Sequence, residues 1–220
     1  MSSRELPFEQ GRIRPSPVAR RLASHPAIQN LSSDCAEIFL APAFLTERSC
    51  AEIMTMTDAS NRPSEIADSN GDAMFRTSSS SDLEQAAPAV DVVRRHIAHL
   101  LGLPLTHGEP LQAQRYRPGQ SFKLHCDWFR PDSDDFERYC VQSGQRTWTA
   151  MAYLNPVEEG GETDFPSLGL TFRPQAGNLL MWNNQSERGD VNPLTAHHAR
   201  PVTSGVKYVI TQWFRERPYA

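Results

Sequence analysis

Hydrophobic and polar positions follow two different rhythms along this chain. Residues 88–101, PAVDVVRRHIAHLL, open with Pro88 and stop before Gly102, and Val92, Val93, Ile97, Leu100 and Leu101 recur at helical spacing. That pattern predicts an amphipathic helix with proline in its first turn. Thr46 reads as the N-cap of an earlier helix that carries Cys50, Ile53, Met54 and Met56 on its apolar side. Before it, residues 36–45 (AEIFLAPAFL) read as a strand running into a turn. After Pro104 the rhythm shortens: strand-like runs at 111–117, 121–129, 146–154, 170–174, 178–182 and 206–214 are separated by Gly, Pro, Asn and Asp. Short strands broken by turn residues imply an antiparallel sandwich or barrel rather than a parallel sheet with crossover helices.

Two segments show neither rhythm. Residues 1–33, punctuated by Arg and Pro, read as a flexible N-terminal arm. Residues 59–81 are small and polar, end in four consecutive serines, and read as a mobile loop or lid over a site. What is left is one domain over 34–220, mainly β with flanking helices (α+β), the helices preceding the strands.

Composition narrows the function classes. A chain of 220 residues with 39% hydrophobic content can build one substantial core and is not wholesale disordered. Lys+Arg 22 against Asp+Glu 26 gives a net charge of -4, so there is no global attraction to nucleic acid or to acidic membranes, and neither is expected as a partner. Cys35, Cys50, Cys126 and Cys140 lack a CxxC pair, which argues against a zinc ribbon and a disulfide framework. No apolar run approaches the length of a membrane span and no apolar signal core stands near residue 1, so the expected location is cytoplasmic.

The candidate chemistry starts at His125-Cys126-Asp127. Residues two apart on an extended strand face the same side, so His125 and Asp127 project together and supply two ligands for a divalent metal. Such a triplet is common by chance; its company downstream gives it weight. His197 and His198 are adjacent, so on a strand only one of them can face such a metal. Lys207 lies in the apolar strand VKYVITQWF, where an ammonium is costly to bury unless an anion pairs with it.

These elements form an ordered series: Arg76-Thr77-Ser78, Tyr116-Arg-Pro-Gly119-Gln120, His125-Cys-Asp127, Arg146-Thr-Trp-Thr149 leading to Tyr153-Leu154-Asn155, and Glu159-Gly-Gly161-Glu162-Thr163. It closes with His197-xxx-Pro201-Val202, Gly205-Val-Lys207 and Trp213. Tyr116 stands nine residues before His125, Lys207 ten after His197, and Trp213 six after Lys207. The series resembles the prolyl 4-hydroxylase family of Fe(II)- and 2-oxoglutarate-dependent dioxygenases over residues 36–213, most of the chain.

The resemblance implies a double-stranded β-helix, a jelly-roll or cupin-like core over about 111–215, buttressed by the N-terminal helices. It implies His125, Asp127 and His197 as Fe(II) ligands, selecting His197 over His198 because the distal ligand precedes the Pro-Val pair by four residues. It implies Lys207 as the partner of the distal carboxylate of 2-oxoglutarate, with Tyr116 and Thr149 beside the same co-substrate. It also implies O2 as the second co-substrate, L-ascorbate as the reductant, and release of succinate and CO2. Arg76 and Trp128 border the expected substrate groove. Arg215 stands where the family often carries an imidazole, which bears on substrate recognition. The substrate implied is a prolyl residue in a peptide or protein. The alternatives are the same chemistry on another residue, a free amino acid or a small metabolite, or a non-catalytic metal- or ligand-binding sensor.

Overall fold

A computed structural model describes residues 14–60, 62–64, 74–186 and 188–220. Among the described residues the α-helices are α1 (Pro17–Ala23), α2 (Glu47–Ala59), α3 (Pro88–Leu101) and α4 (Asp134–Cys140). The strands run β1 (Gln29–Asn30), β2 (Ile38–Ala41), β3 (Arg62–Pro63), β4 (Ser79–Asp82), β5 (Gln112–Tyr116), β6 (Phe122–His125) and β7 (Arg146–Tyr153). They continue as β8 (Glu159–Gly160), β9 (Thr163–Phe165), β10 (Leu170–Phe172), β11 (Leu179–Asn183), β12 (His197–Ala199), β13 (Val202–Ser204) and β14 (Lys207–Arg215). One sheet has the order β1-β2-β11-β7-β14-β5-β4-β3; a smaller one, β10-β9-β12-β6, packs against it, and β8 pairs with β13. All named pairs are antiparallel. Two sheets face to face in this way make the expected jelly roll.

Alternation along the central strands divides the core in two. In β7, Trp148, Ala150 and Ala152 point to the helices, while Met151 and Tyr153 point to the small sheet. In β11, Leu179 and Met181 take the helix side, and Leu180 and Trp182 the other. Both faces are covered, so these strands read as near-continuous apolar runs. The helices bury Cys50, Ile53, Val90, Val93, Ile97 and Leu101 against the outer face.

Local chemistry fixes the helix ends. The Thr46 hydroxyl accepts the Ser49 amide at 3.1 Å, and Gly102 closes α3 in the left-handed region at φ 69°. Within α3 it is Val90 that is buried, and Val92 faces solvent. Ser133 caps α4, and Asp134, Asp135 and Glu137 in its first turn complement the helix dipole.

Two expectations for irregular segments change. The arm over 1–33 is ordered from α1 onward: Val18, Ala19 and Leu22 enter the core, the Ser16 amide and hydroxyl donate to Glu37, and β1 pairs with β2. Seven residues of α1 carry too little periodicity to announce a helix; tertiary contacts supply it. Residues 1–13 lie outside the described residues. Of the expected lid, Ser79, Ser80 and Ser81 belong to β4, which pairs with β5, and Ser80 and Ser81 bury their hydroxyls in hydrogen bonds to Ser64, Ser60 and the Thr57 carbonyl. Residues 61 and 65–73 lie outside the described residues.

Candidate active site

Strand pairing assembles the centre. β12 and β6 place His197 opposite His125 with ring centroids 4.3 Å apart. β6 ends at His125, and Asp127 follows in a bend rather than on the strand, yet its carboxylate still turns to the histidines. Asp127 Oδ1 lies 3.9 Å from His125 Nε2 and 4.0 Å from His197 Nε2, and one ligand atom from each of the three residues lies within 4.8 Å of the others.

The histidines are oriented from behind. His125 Nδ1 is 2.7 Å from the Lys123 carbonyl, and His197 Nδ1 is 3.1 Å from the Thr195 carbonyl. A carbonyl only accepts, so each Nδ1 carries the proton and each Nε2 turns a free lone pair inward. His125 stacks on Phe122, and His197 packs between Phe165 and Trp182. Burial pushes His125 down to about 3 and lowers His197 as well, so both imidazoles are neutral. Burial works against ionisation of Asp127, but the two histidines, Arg146 and the Thr149 hydroxyl hold its carboxyl below the usual range. Two neutral imidazoles and one carboxylate converging on one point are a donor set that fits Fe(II) with positions left open.

Below the histidines lies an inner pocket on the concave face of the large sheet. Lys207, Val209, Thr211 and Trp213, alternate residues of β14, line it with Tyr116 of β5. The Lys207 ammonium is fully buried, with the rings of Tyr116 and Tyr153 at 5.2 and 5.5 Å. Among the described residues its hydrogen-bond partner is Thr163 Oγ1 at 3.4 Å. Burial lowers Lys207 to about 7, against the opposing influence of Glu162 and Asp164. A buried ammonium with donors to spare fits the distal carboxylate of a dicarboxylic acid. The Tyr116 hydroxyl lies in the same pocket and donates to Gln114 Oε1 at 2.9 Å.

Two of the residues expected at the site have other tasks. Thr149 does not line the inner pocket; its hydroxyl donates to Asp127 Oδ2 at 2.7 Å, because β7 carries it beneath the carboxylate. Arg215 is buried and forms an ion pair with Glu109 at 2.7 Å, while its other nitrogens donate to the Gly144 and Tyr139 carbonyls. These bonds fasten α4 to the sheet, and Arg215 also lines the outer groove beside Trp213.

His198 turns away from the centre and lies 3.3 Å from Asp164. Arg76 and Trp128 line an outer groove of about 830 Å³, together with Phe122, Leu124, Phe129, Tyr139 and Trp213. Arg76 is shared between groove and inner pocket and rests over the Phe122 ring at 4.9 Å. His125 and Asp127 also line both spaces, so the donor cluster sits where they meet.

Sequence reasoning did not single out Asn184 or Glu109. Asn184 Nδ2 donates to Thr149 Oγ1 at 2.9 Å, and Glu109 holds Arg146 through bonds of 2.6 and 2.7 Å. Arg146 in turn donates to the Asp127 carbonyl at 3.2 Å. The polar pair Asn183-Asn184 closing an apolar strand was the available signal for the first of these.

Similarity to known proteins agrees with this geometry. Residues 111–215 match the model of the 2OG-Fe(II) oxygenase superfamily. Over 199 residues the chain is 32% identical to a protein of Arabidopsis thaliana named probable prolyl 4-hydroxylase 9, covering 80% of this chain and 67% of that one. The chain belongs to the prolyl 4-hydroxylase family. It is a 2-oxoglutarate- and Fe(II)-dependent oxygenase. Among solved structures of this family, the viral collagen prolyl hydroxylase of Paramecium Bursaria Chlorella virus-1, in complex with 2OG, superposes with a TM-score of 0.64 at 26% identity over 81% of this chain and 95% of that one. A Pseudomonas putida prolyl-4-hydroxylase shares the fold at 23% identity, with a TM-score of 0.58 over 91% of this chain and 97% of that one.

Proposed function

We propose that the chain hydroxylates prolyl residues of a peptide or protein. The observation that carries this reading is the placement of the His125, Asp127 and His197 donor cluster at the junction of an inner pocket floored by Lys207 and an open, aromatic-lined groove. In this reading the three side chains hold Fe(II), Lys207 binds the distal carboxylate of 2-oxoglutarate, and Tyr116 and Thr163 shape that subsite. When bound, iron and 2-oxoglutarate supply the oxidative chemistry that releases succinate and CO2 and delivers one oxygen atom of O2 to the substrate. The residues of the chain keep Nε2 of both imidazoles unprotonated, neutralise the co-substrate and exclude water from its pocket. L-ascorbate acts as the reductant that keeps the iron ferrous.

A proline-containing segment adopts an extended polyproline II form at little ordering cost, and aromatic grooves suit it. Arg76 and Trp128, which both line the groove, contact it. A space of about 830 Å³ is far larger than a free amino acid requires, which favours a peptide over the small-metabolite alternative. The test is mass spectrometry of a proline-rich peptide incubated with the protein, Fe(II), 2-oxoglutarate, ascorbate and air, with 2-oxoglutarate omitted as control. One added oxygen atom localised to proline supports the proposal. Succinate release without peptide oxidation across a set of proline-rich peptides transfers the activity to another substrate.

A further inference from the structure

The two oxygens of Asp127 have different surroundings. Oδ1 faces the histidines, while Oδ2 accepts from the Thr149 hydroxyl, which itself accepts from the Asn184 amide. Thr149 and Asn184 are both fully shielded from solvent. A carboxylate has no proton to give and a threonine hydroxyl has only one, so that proton lies toward Oδ2. Asn184 must then present its NH2 group, not its carbonyl, to the threonine. The direction of the whole relay is set from the Asp127 end.

The relay stands on rigid supports. Thr149 sits in the middle of β7, directly opposite Trp182 of β11, and Asn184 follows that strand. The backbone N–H of Asn184 donates to the Thr147 carbonyl at 2.7 Å, and its backbone carbonyl accepts from the Asn192 N–H at 2.9 Å. The terminal torsion of an aspartate is broad, so nothing intrinsic to Asp127 selects one rotation of the carboxylate.

We infer that Thr149 and Asn184 are positioning residues that set the rotation of the Asp127 carboxylate, presenting Oδ1 between the imidazoles and withholding Oδ2. The inference rests on the metal-site reading above. Groups that orient a metal ligand from behind typically contribute about 10–100-fold to metal affinity.

The experiment is calorimetric titration of Mn(II) into the metal-free full-length chain without 2-oxoglutarate. Thr149→Val is expected to weaken binding about 10–100-fold, and Thr149→Ser to restore it. Asn184→Ala is expected to weaken it less, and the double variant Thr149→Val/Asn184→Ala to bind no worse than Thr149→Val, because Asn184 acts only through the hydroxyl. Wild-type affinity in Thr149→Val, no rescue by serine, or additive losses in the double variant would each overturn the inference. Should Thr149→Val fail to fold, the decision passes to Asn184→Ala: weakened binding supports the relay and wild-type binding overturns it. Failure of the wild-type chain itself to bind Mn(II) would overturn the metal-site reading instead.

Discussion

His125 and His197 stand opposite each other on neighbouring antiparallel strands, their rings 4.3 Å apart and both held neutral by burial. Neutrality has a consequence for the metal-free fold. His125 stays unprotonated down to about pH 3 when folded, whereas an unfolded histidine takes up its proton near pH 6.5. Below 6.5 the unfolded chain therefore binds a proton that the folded chain refuses, and stability falls as pH drops toward 3. The depressed carboxyl of Asp127 adds a contribution that is present above its ordinary range and lost at the acid end of the window. Urea midpoints of the metal-free protein should decline from pH 7 to pH 4.5, and His125→Gln should flatten that decline. An equal slope in the variant would remove His125 as its source.

Lys207 predicts a proton that moves with the co-substrate. With its ammonium lowered to about 7, the ligand-free enzyme at pH 8 holds this side chain mostly neutral. A bound carboxylate favours the charged form, so 2-oxoglutarate binding should take up close to one proton at pH 8 and little at pH 6. Titration calorimetry in buffers of different ionisation enthalpy reads that number. The same set-up should show Lys207→Ala weakening 2-oxoglutarate about 10- to 150-fold, the equivalent of a charge-assisted bond of about 1.5–3 kcal/mol.

The two adjacent histidines should separate cleanly. His197 faces Asp127, whereas His198 faces Asp164 on the other side of β12. His197→Ala is expected to abolish turnover and metal binding, and His198→Ala to retain most of both. The reverse result would require β12 to pair with β6 one residue out of the register described above.

Arg215 should behave as a structural residue. Glu109 pairs with both Arg146 and Arg215 in a buried triad, and removing one member of a buried pair costs about 3–5 kcal/mol. Arg215→Ala should lower the melting temperature markedly and loosen α4. A peptide-contacting role would instead raise the KM for peptide while leaving the melting temperature unchanged.

Much of this protein is legible in its residue order. Helices α2 and α3 follow from Thr46, Pro88, Gly102 and the apolar spacing between them, and the strands from β5 to β14 that carry long apolar runs follow from β-branched and aromatic stretches between turn residues. The sequence also supplies the residue types of the site, since a histidine, an aspartate two residues on, a later histidine and a lysine in an apolar strand already suit a metal and an anion. It does not supply the short strands β9, β12 and β13, which are three residues each and are defined by their partners rather than by their own propensity.

The contacts between distant segments are set by the assembled fold alone. Thr149 looks like any core strand residue until β7 is placed beneath Asp127, and Asn184 acquires a role only once β11 is paired with β7. Arg215, two residues after a motif tryptophan, shows its ion-pair partner only when Glu109, 106 positions earlier in the numbering, is found against it. Residue type and spacing fix which groups are available and which face of a strand each occupies, because those depend on local backbone geometry. Which group a buried side chain meets depends on sheet order and register, and these are properties of the assembled fold.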